Sequence, residues 1–477
     1  MQHVDLLVYD VGSTYTKVTA FEKQNKVLSF IGRSQAPTTV SNIEIGLINA
    51  RKNLAQRMGL SDITPGKVLA TSSAAGGLRM IAMGYMPRVT AKAAKEVAMS
   101  AGARVLEIIS HETPVDFREE VLQEIKPDII LLAGGTDGGD EDSVLENAHI
   151  IVKSKCGGVV IIACNAQVQP KAEAFLKSHE VRTIRVQNVM PTIHELKVKP
   201  AREAIHREFI RQITQAKGLG RLLEMVSNKS VMPTPGAVLM GTEVLALGTT
   251  ENEGLGSIMV VDIGGATTDV HSVVVELAEL SNEEKGLVIS NEKQVSYRTV
   301  EGNLGLRVSA TGIVETAGAI GVLAKVGLEG EDLAEELITY TKNLEKNPEH
   351  ISVTDKEKLF DKAMAITAIE VAIKRHAGYL AQNFDPIMGV APGTAVGRDL
   401  RKLQKVVAVG GIFAHSSEEE CKEILKKAFA NRGISLLPED PQFIIDKSYL
   451  LYTIGALAQE FPNEALKLAY NNIYGNQ

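Results

Sequence analysis

Val8-Tyr9-Asp10-Val11-Gly12-Ser13-Thr14-Tyr15-Thr16-Lys17-Val18 reads as an apolar strand ending in an acid, a break at glycine, and a return along a second strand of polar β-formers. The same grammar recurs 252 residues later in Val260-Val261-Asp262-Ile263-Gly264-Gly265-Ala266-Thr267-Thr268-Asp269-Val270. Asp262 then lies over Asp10, Gly264 over Gly12, and Thr268-Asp269-Val270 over Thr16-Lys17-Val18. One such match carries little. An acid, a glycine and hydroxyls repeated together, about half a chain apart, predict two structurally related halves.

The residue types suggest what these turns do. Glycine lets a backbone turn approach a ligand, and consecutive N–H groups in such a turn make an anion nest. Gly12, Ser13, Thr14, Tyr15 and Lys17 in the first unit, and Gly264, Gly265, Ala266, Thr267 and Thr268 in the second, are the candidate phosphate contacts. Asp10 and Asp262 sit at the ends of buried strands just before the turns. That is a natural place to hold Mg²⁺ directly or through its waters, because this ion keeps several waters and takes one or two carboxylates. Asp10 and Asp262 are therefore the expected catalytic and metal-binding pair. Two facing units would grip a polyphosphate from both sides.

A third glycine signal, Val406-Val407-Ala408-Val409-Gly410-Gly411, ends another buried strand, 148 residues after Asp262. Gly410 and Gly411 would permit flat contact with a planar ring or its ribose. Competing nucleotide motifs are missing. No G-x-x-x-x-G-K-[ST] occurs, and Gly218-Leu219-Gly220 lacks the third glycine and the preceding strand of a dinucleotide site.

Between the echoed units the pattern changes. Asp128–Leu132, Val159–Ala163 and Thr183–Val186 read as buried strands, separated by helices at about 141–154 and 169–178. This predicts a small parallel α/β module with its loops at the strand C-terminal ends. Helices are also expected at about 44–58, 92–102 and, with a break near Asn347-Pro348, 333–374.

Composition agrees with an α/β chain. The 477 residues are 44% hydrophobic and 23% charged, with 41 Gly against 16 Pro and no Trp. That balance excludes a disordered or fibrous chain. A net charge of −7 gives no bulk attraction to nucleic acid or anionic lipid, so neither is an expected partner. No apolar run approaches the roughly 18 residues needed to span a bilayer. Met1-Gln2-His3-Val4-Asp5 lacks a basic n-region, and Cys156, Cys164 and Cys421 form no disulfide or zinc pattern. A cytoplasmic protein is expected.

With three motifs in this order and spacing, the sequence resembles the actin-like ATPase superfamily, which includes actin, sugar kinases and the large heat-shock chaperones. Asp10–Lys17 looks like its first phosphate motif, Asp262–Asp269 like its second, and Val409-Gly410-Gly411 like its adenosine motif. The resemblance implies two RNase H-like lobes around a Mg-ATP cleft, with an inserted parallel α/β module. Applied to this chain, it gives a first lobe at 1–111, the module at 112–200, a helical connection at 201–256 and a second lobe at 257–477.

Within that superfamily nearly the whole chain is similar to the MutL/GlmL group, accessory proteins of adenosylcobalamin-dependent glutamate mutase and related aminomutases. This group is distinct from the DNA-repair protein of the same name. Leu131-Leu132-Ala133-Gly134-Gly135-Thr136-Asp137-Gly138-Gly139 and Glu301-Gly302-Asn303-Leu304-Gly305-Leu306-Arg307 join the first motif in carrying that likeness. It implies an ATPase that acts as a reactivating chaperone. The client would be a mutase of the glutamate mutase or ornithine aminomutase type, and ATP binding and hydrolysis would drive release of damaged cobalamin. The alternative is a small-molecule kinase or ATP-dependent hydrolase of the same fold; no acid stands out as the base for an acceptor hydroxyl, though Asp262 could serve.

Several residues admit two readings. Glu301 and Arg307 could contact nucleotide or form surface ion pairs. The 132–142 loop could bind a second ligand or serve as a glycine-rich turn before a helix. His271 is tempting as a base, but its position beyond the turn makes it a strand side chain. Lys17 could neutralise phosphate unless its strand points it away.

Overall fold

The computed structural model describes residues 2–12, 15–24, 27–39, 42–73, 79–85, 94, 104–192, 197–213, 219–227, 231–275, 296–384 and 391–475. In chain order the strands begin with β1 (Gln2–Val11), β2 (Tyr15–Gln24), β3 (Val27–Pro37) and β4 (Ile63–Ser72). Next come β5 (Arg79–Met83), β6 (Arg104–Ile109), β7 (Ile129–Leu132), β8 (Val159–Ile162) and β9 (Arg182–Arg185). They are followed by β10 (Val231–Pro233), β11 (Ile258–Ile263), β12 (Thr268–Val273) and β13 (Ser296–Glu301). A small pair, β14 (Tyr379–Leu380) and β15 (Ala395–Val396), precedes β16 (Lys405–Gly410) and β17 (Gln442–Ile445).

Two of the sheets are built alike. The first has the order β10-β4-β1-β2-β3 and the second β13-β12-β11-β16-β17. In each, three antiparallel strands form a meander whose first strand pairs in parallel with a fourth, and the fourth with a fifth. This duplicated order is that of two RNase H-like lobes, the actin-like ATPase fold, and the echoed sequences form the first hairpin of each sheet. The central strands are apolar along their length because they are covered on both faces. Val4, Leu7, Val8 and Val11 of β1 and Met259, Val260 and Val261 of β11 are fully buried.

One hydrophobic cluster runs through both sheets, joining Leu6 and Val8 to Val260, Val407, Val409 and Ile444. Between them lie the helices Thr234–Leu247, which follows β10, and Leu451–Ala458, which follows β17. Their crossing requires two glycines. A Cβ on Gly455 would stand 1.7 Å from the Ala237 carbonyl oxygen, and one on Gly241 2.6 Å from that of Leu451. No side chain fits there without moving backbone. The outer face of the second sheet packs on the helix Asp355–His376, which starts at a capping box of Thr354 and Glu357.

The chain forms two compact units, one gathering Met1–Ala74, Lys217–Val288 and Val295–Gln477, the other built on Ala75–Ala216. The second unit holds an all-parallel sheet of order β6-β5-β7-β8-β9. Numbered within the unit this is 2-1-3-4-5, a doubly wound order. These boundaries differ from those expected. β5 and β6 were expected in the first lobe, but they hydrogen-bond to each other and to β7, so the module starts near residue 75 rather than 112. The stretch 201–256 is not one connection. Its helix Val198–Ile213 falls within the module's unit, whereas β10 completes the first sheet. Helices at Ile43–Arg57, Glu331–Lys346 and Asp355–His376 stand where the periodicity put them. The helix expected at 92–102 lies outside the described residues, apart from Ala94.

Candidate nucleotide site

Both hairpin turns use the same closure. The Gly12 N–H donates to the Tyr15 carbonyl at 3.0 Å, and the Gly264 N–H to the Thr267 carbonyl at 2.8 Å. A Cβ on Gly12 would stand 2.7 Å from the Tyr15 carbonyl oxygen. Ser13 and Thr14, the hydroxyls expected in the first turn, lie outside the described residues.

Asp10 and Asp262 occupy matching places on β1 and β11, with different surroundings. Asp10 is buried, and its Oδ1 accepts from the hydroxyls of Thr71 at 2.8 Å and Thr234 at 2.6 Å. Its Oδ2 receives Lys17 Nζ at 3.1 Å, because Lys17 stands directly opposite on β2. Asp262 has no hydrogen bond or ion pair among the described residues. Its cross-strand partner is Asp269 and its parallel neighbour is Val409. Burial, followed by the charge of Asp269, pushes the Asp262 carboxyl up to about 7; Lys17 opposes this, and Asp10 and Asp446 add to it. A half-buried carboxylate among acids could hold a cation.

Lys17 points into this site. Its ammonium lies 4.1 Å from the ring centre of Tyr449 and 5.7 Å from that of Tyr452. Burial disfavours the charge, but Tyr449 and Asp10 outweigh that and hold Lys17 above the usual lysine range.

The second turn is braced from behind. Backbone N–H groups of Leu306, Arg307 and Val308 donate to the carbonyls of Gly264 and Gly265 at 2.7–3.0 Å. Gly305 must be glycine here, since a Cβ would meet the Ala266 backbone at 2.2 Å. The 301–307 stretch is therefore a buttress. Arg307 forms a two-pronged ion pair with Asp361, and Glu301 pairs with Arg375.

Two expected phosphate contacts face elsewhere. Thr268 is buried and donates to the Leu304 carbonyl at 2.6 Å, so its hydroxyl belongs to the buttress and not to a ligand. The Thr267 hydroxyl donates to Asp269 at 2.9 Å, and Asp269 is held in turn by buried Arg298 at 2.8 Å.

The glycine pair also divides in role. Gly410 has φ 137°, and a Cβ there would lie 2.3 Å from the Ile263 carbonyl oxygen, so it is needed for the close approach of β16 to β11. Gly411 opens the helix Gly411–His415, and a Cβ there would have nothing within 4 Å. Only Gly411 adjoins open space where a ring could lie. His271 is fully buried on β12, with its pKa well below the ordinary value, chiefly from burial. It is a strand side chain.

Thr71, Thr234, Asp446, Tyr449 and Tyr452 escaped the sequence reading. Asp446 was findable, because Phe443-Ile444-Ile445-Asp446 repeats the acid-after-strand signal of Asp10 and Asp262. Asp446 is buried, and its Oδ2 accepts the N–H groups of Leu450 and Leu451 at 2.6 and 2.8 Å. Thr71 and Thr234 had no signal beyond being hydroxyl residues near strand ends.

A family model described as MutL protein matches residues 6–473. A curated protein of Clostridium tetanomorphum, Protein MutL, is 37% identical over 476 residues, covering 97% of each chain. Among solved structures, a glycerol dehydratase reactivase aligns over 95% of this chain and 99% of its own at 10% identity, with a TM-score of 0.32. The ROK hexokinase of Thermus thermophilus aligns over 94% and 96% at 9% identity, with a TM-score of 0.27. At such scores neither structural likeness carries weight.

Proposed function

The chain belongs to the MutL protein family, and on that premise we propose that it binds and hydrolyses Mg-ATP between its two RNase H-like lobes as a reactivating chaperone of an adenosylcobalamin-dependent mutase. The observation that carries the nucleotide half is the pairing of the two turns. One has a carboxylate already met by two hydroxyls and an ammonium, and the other has a carboxylate with no partner among the described residues. Asp262 suits the role of metal seat, directly or through water. Asp10 with Lys17 would orient the metal's water shell and the phosphates. The turn N–H groups of Gly265 and Ala266 would face phosphate, since that of Gly264 closes the turn on the Thr267 carbonyl, and Gly411 would face the nucleoside. Mg²⁺ would supply charge neutralisation at the transferred phosphoryl group.

The client half rests on the family resemblance. Adenosylcobalamin mutases can lose their adenosyl group and retain inactive cobalamin. A nucleotide-dependent change in lobe arrangement would favour its release only if the client binds the ATP and ADP states differently. The Ala75–Ala216 unit contributes none of the residues above and is our candidate for client contact.

The test mixes the protein with a cobalamin-inactivated glutamate mutase or ornithine aminomutase, fresh adenosylcobalamin and Mg-ATP, and follows recovery of mutase activity. Recovery that needs both ATP and Asp262 is expected. Equal recovery without ATP would sink the mechanism. A small acceptor that strongly stimulates turnover, with no response to any mutase, would favour a kinase.

A further inference from the structure

The turn between β17 and the helix Leu451–Ala458 is fixed from three directions. The Asp446 carboxylate takes the N–H groups of Leu450 and Leu451. Arg33 on β3 donates to the Ser448 carbonyl at 2.7 Å. Lys447 Nζ donates to the carbonyls of Phe413 and Ser416 at 2.7 and 2.5 Å, the end of the short helix that Gly411 begins. Within this frame Tyr449 adopts φ 54°, a left-handed conformation that is unfavourable for a residue with a side chain. Its strained placement lays its ring against Lys17 Nζ at 4.1 Å. Tyr452 contributes its ring from 5.7 Å, and its hydroxyl meets that of Thr19 at 3.1 Å.

We propose that Tyr449 is a positioning residue for Lys17: the second lobe's turn 446–450 presents its ring so that the ammonium is held on Asp10, giving the site a fixed cation beside the metal seat at Asp262. The ring is what matters. An aromatic face attracts an ammonium through its quadrupole; the Tyr449 hydroxyl also interacts with Lys17, and the Phe variant separates the ring from the hydroxyl. The same turn reaches, through Lys447, the helix that starts at Gly411. One segment thus ties the lysine that would face phosphate to the glycine that would face the nucleoside. The catalytic consequence rests on the ATP reading above, whereas the stacking itself does not.

Selective ¹³Cε-lysine labelling of the full-length protein tests this, with the Lys17 signal assigned by its loss in Lys17→Arg. Protons held over an aromatic face resonate upfield, so the Lys17 ε-protons of the wild type should lie upfield of the other lysines. Tyr449→Phe should keep that shift and Tyr449→Leu should reduce it. Steady-state hydrolysis of Mg-ATP should follow, with Leu lowering kcat roughly three- to tenfold and Phe restoring it. An ordinary Lys17 shift in the wild type overturns the proposal even if the Leu variant fails to fold. So does a folded Phe variant that behaves like Leu. If the wild type does not hydrolyse ATP, the ATP reading fails while the spectrum still decides the stacking.

Discussion

The two hairpins have the same fold and opposite electrostatics. Around Asp10 the first lobe places Thr71 on the neighbouring parallel strand, Lys17 across the hairpin, and Thr234 just past the outermost strand. The corresponding places around Asp262 hold Val409, Asp269 and Asp446. Each donor of the first lobe is replaced by an apolar group or an acid. A duplicated fold keeps its backbone order because the sheet and its core require it. Its side chains are free to diverge, and here they leave one carboxylate satisfied from within and the other without a partner among the described residues.

The largest effect should come from exchanging the two acids. Asp262→Asn should fold and lose Mg-dependent ATP hydrolysis by about two or more orders of magnitude. Asp10→Ala should also lose hydrolysis, and it should destabilise the protein by about 1–3 kcal/mol, because it strands a partly buried ammonium and the hydroxyls of Thr71 and Thr234. Thermal unfolding of both variants beside their ATPase rates checks this. Equal stabilities would erase the distinction between the two turns.

The glycine pair gives the next contrast. Gly410→Val should cost stability or solubility, since its φ and the Ile263 carbonyl both exclude a side chain. Gly411→Val should remain folded and bind a fluorescent ATP analogue roughly tenfold or more weakly. Unchanged binding by a folded Gly411→Val protein would remove this position from the nucleoside pocket.

A smaller effect should appear in pH dependence without metal or nucleotide. The Asp262 carboxyl has a folded-state pKa of about 7 against 3.8 for an ordinary aspartate. Below the lower value both states are protonated, so the residue costs nothing. Between the two, the unfolded chain releases a proton that the folded one keeps, and the penalty grows until it levels off above the folded value. The Tm advantage of Asp262→Asn over wild type should therefore grow from pH 4 to 7 and then plateau. An advantage that shrinks with rising pH would show that Asp262 has a favourable partner. The smallest change should follow Glu301→Gln, within about 1 kcal/mol in stability and silent in nucleotide affinity, since its Arg375 partner is half exposed.

Much of this was legible in the sequence because it was local. Strand, acid, glycine and return strand occupy one short stretch, so Asp10-Val11-Gly12 and Asp262-Ile263-Gly264 revealed both hairpins and the duplication. The apolar runs Ile129–Leu132 and Val159–Ile162 likewise announced a parallel module. Its lower boundary was hidden, because whether β5 and β6 join β4 or β7 depends on long-range pairing. The division between the two acids was hidden for the same reason. Thr71 and Thr234 reach Asp10 from 61 and 224 residues away in the chain, and no periodicity links such positions. Thr268 misled because a hydroxyl in a turn motif reads as a ligand donor until the Leu304 carbonyl is seen above it.

The most direct test of the unequal acids is Mn²⁺ binding to the ADP-loaded protein, read by electron paramagnetic resonance of the free ion. The wild type should hold Mn²⁺, Asp262→Asn should bind it at least tenfold more weakly, and Lys17→Met, which releases Asp10 from its built-in cation, should bind it as tightly as the wild type or more so. Wild-type Mn²⁺ affinity in Asp262→Asn would contradict the assignment of the open carboxylate as the metal seat.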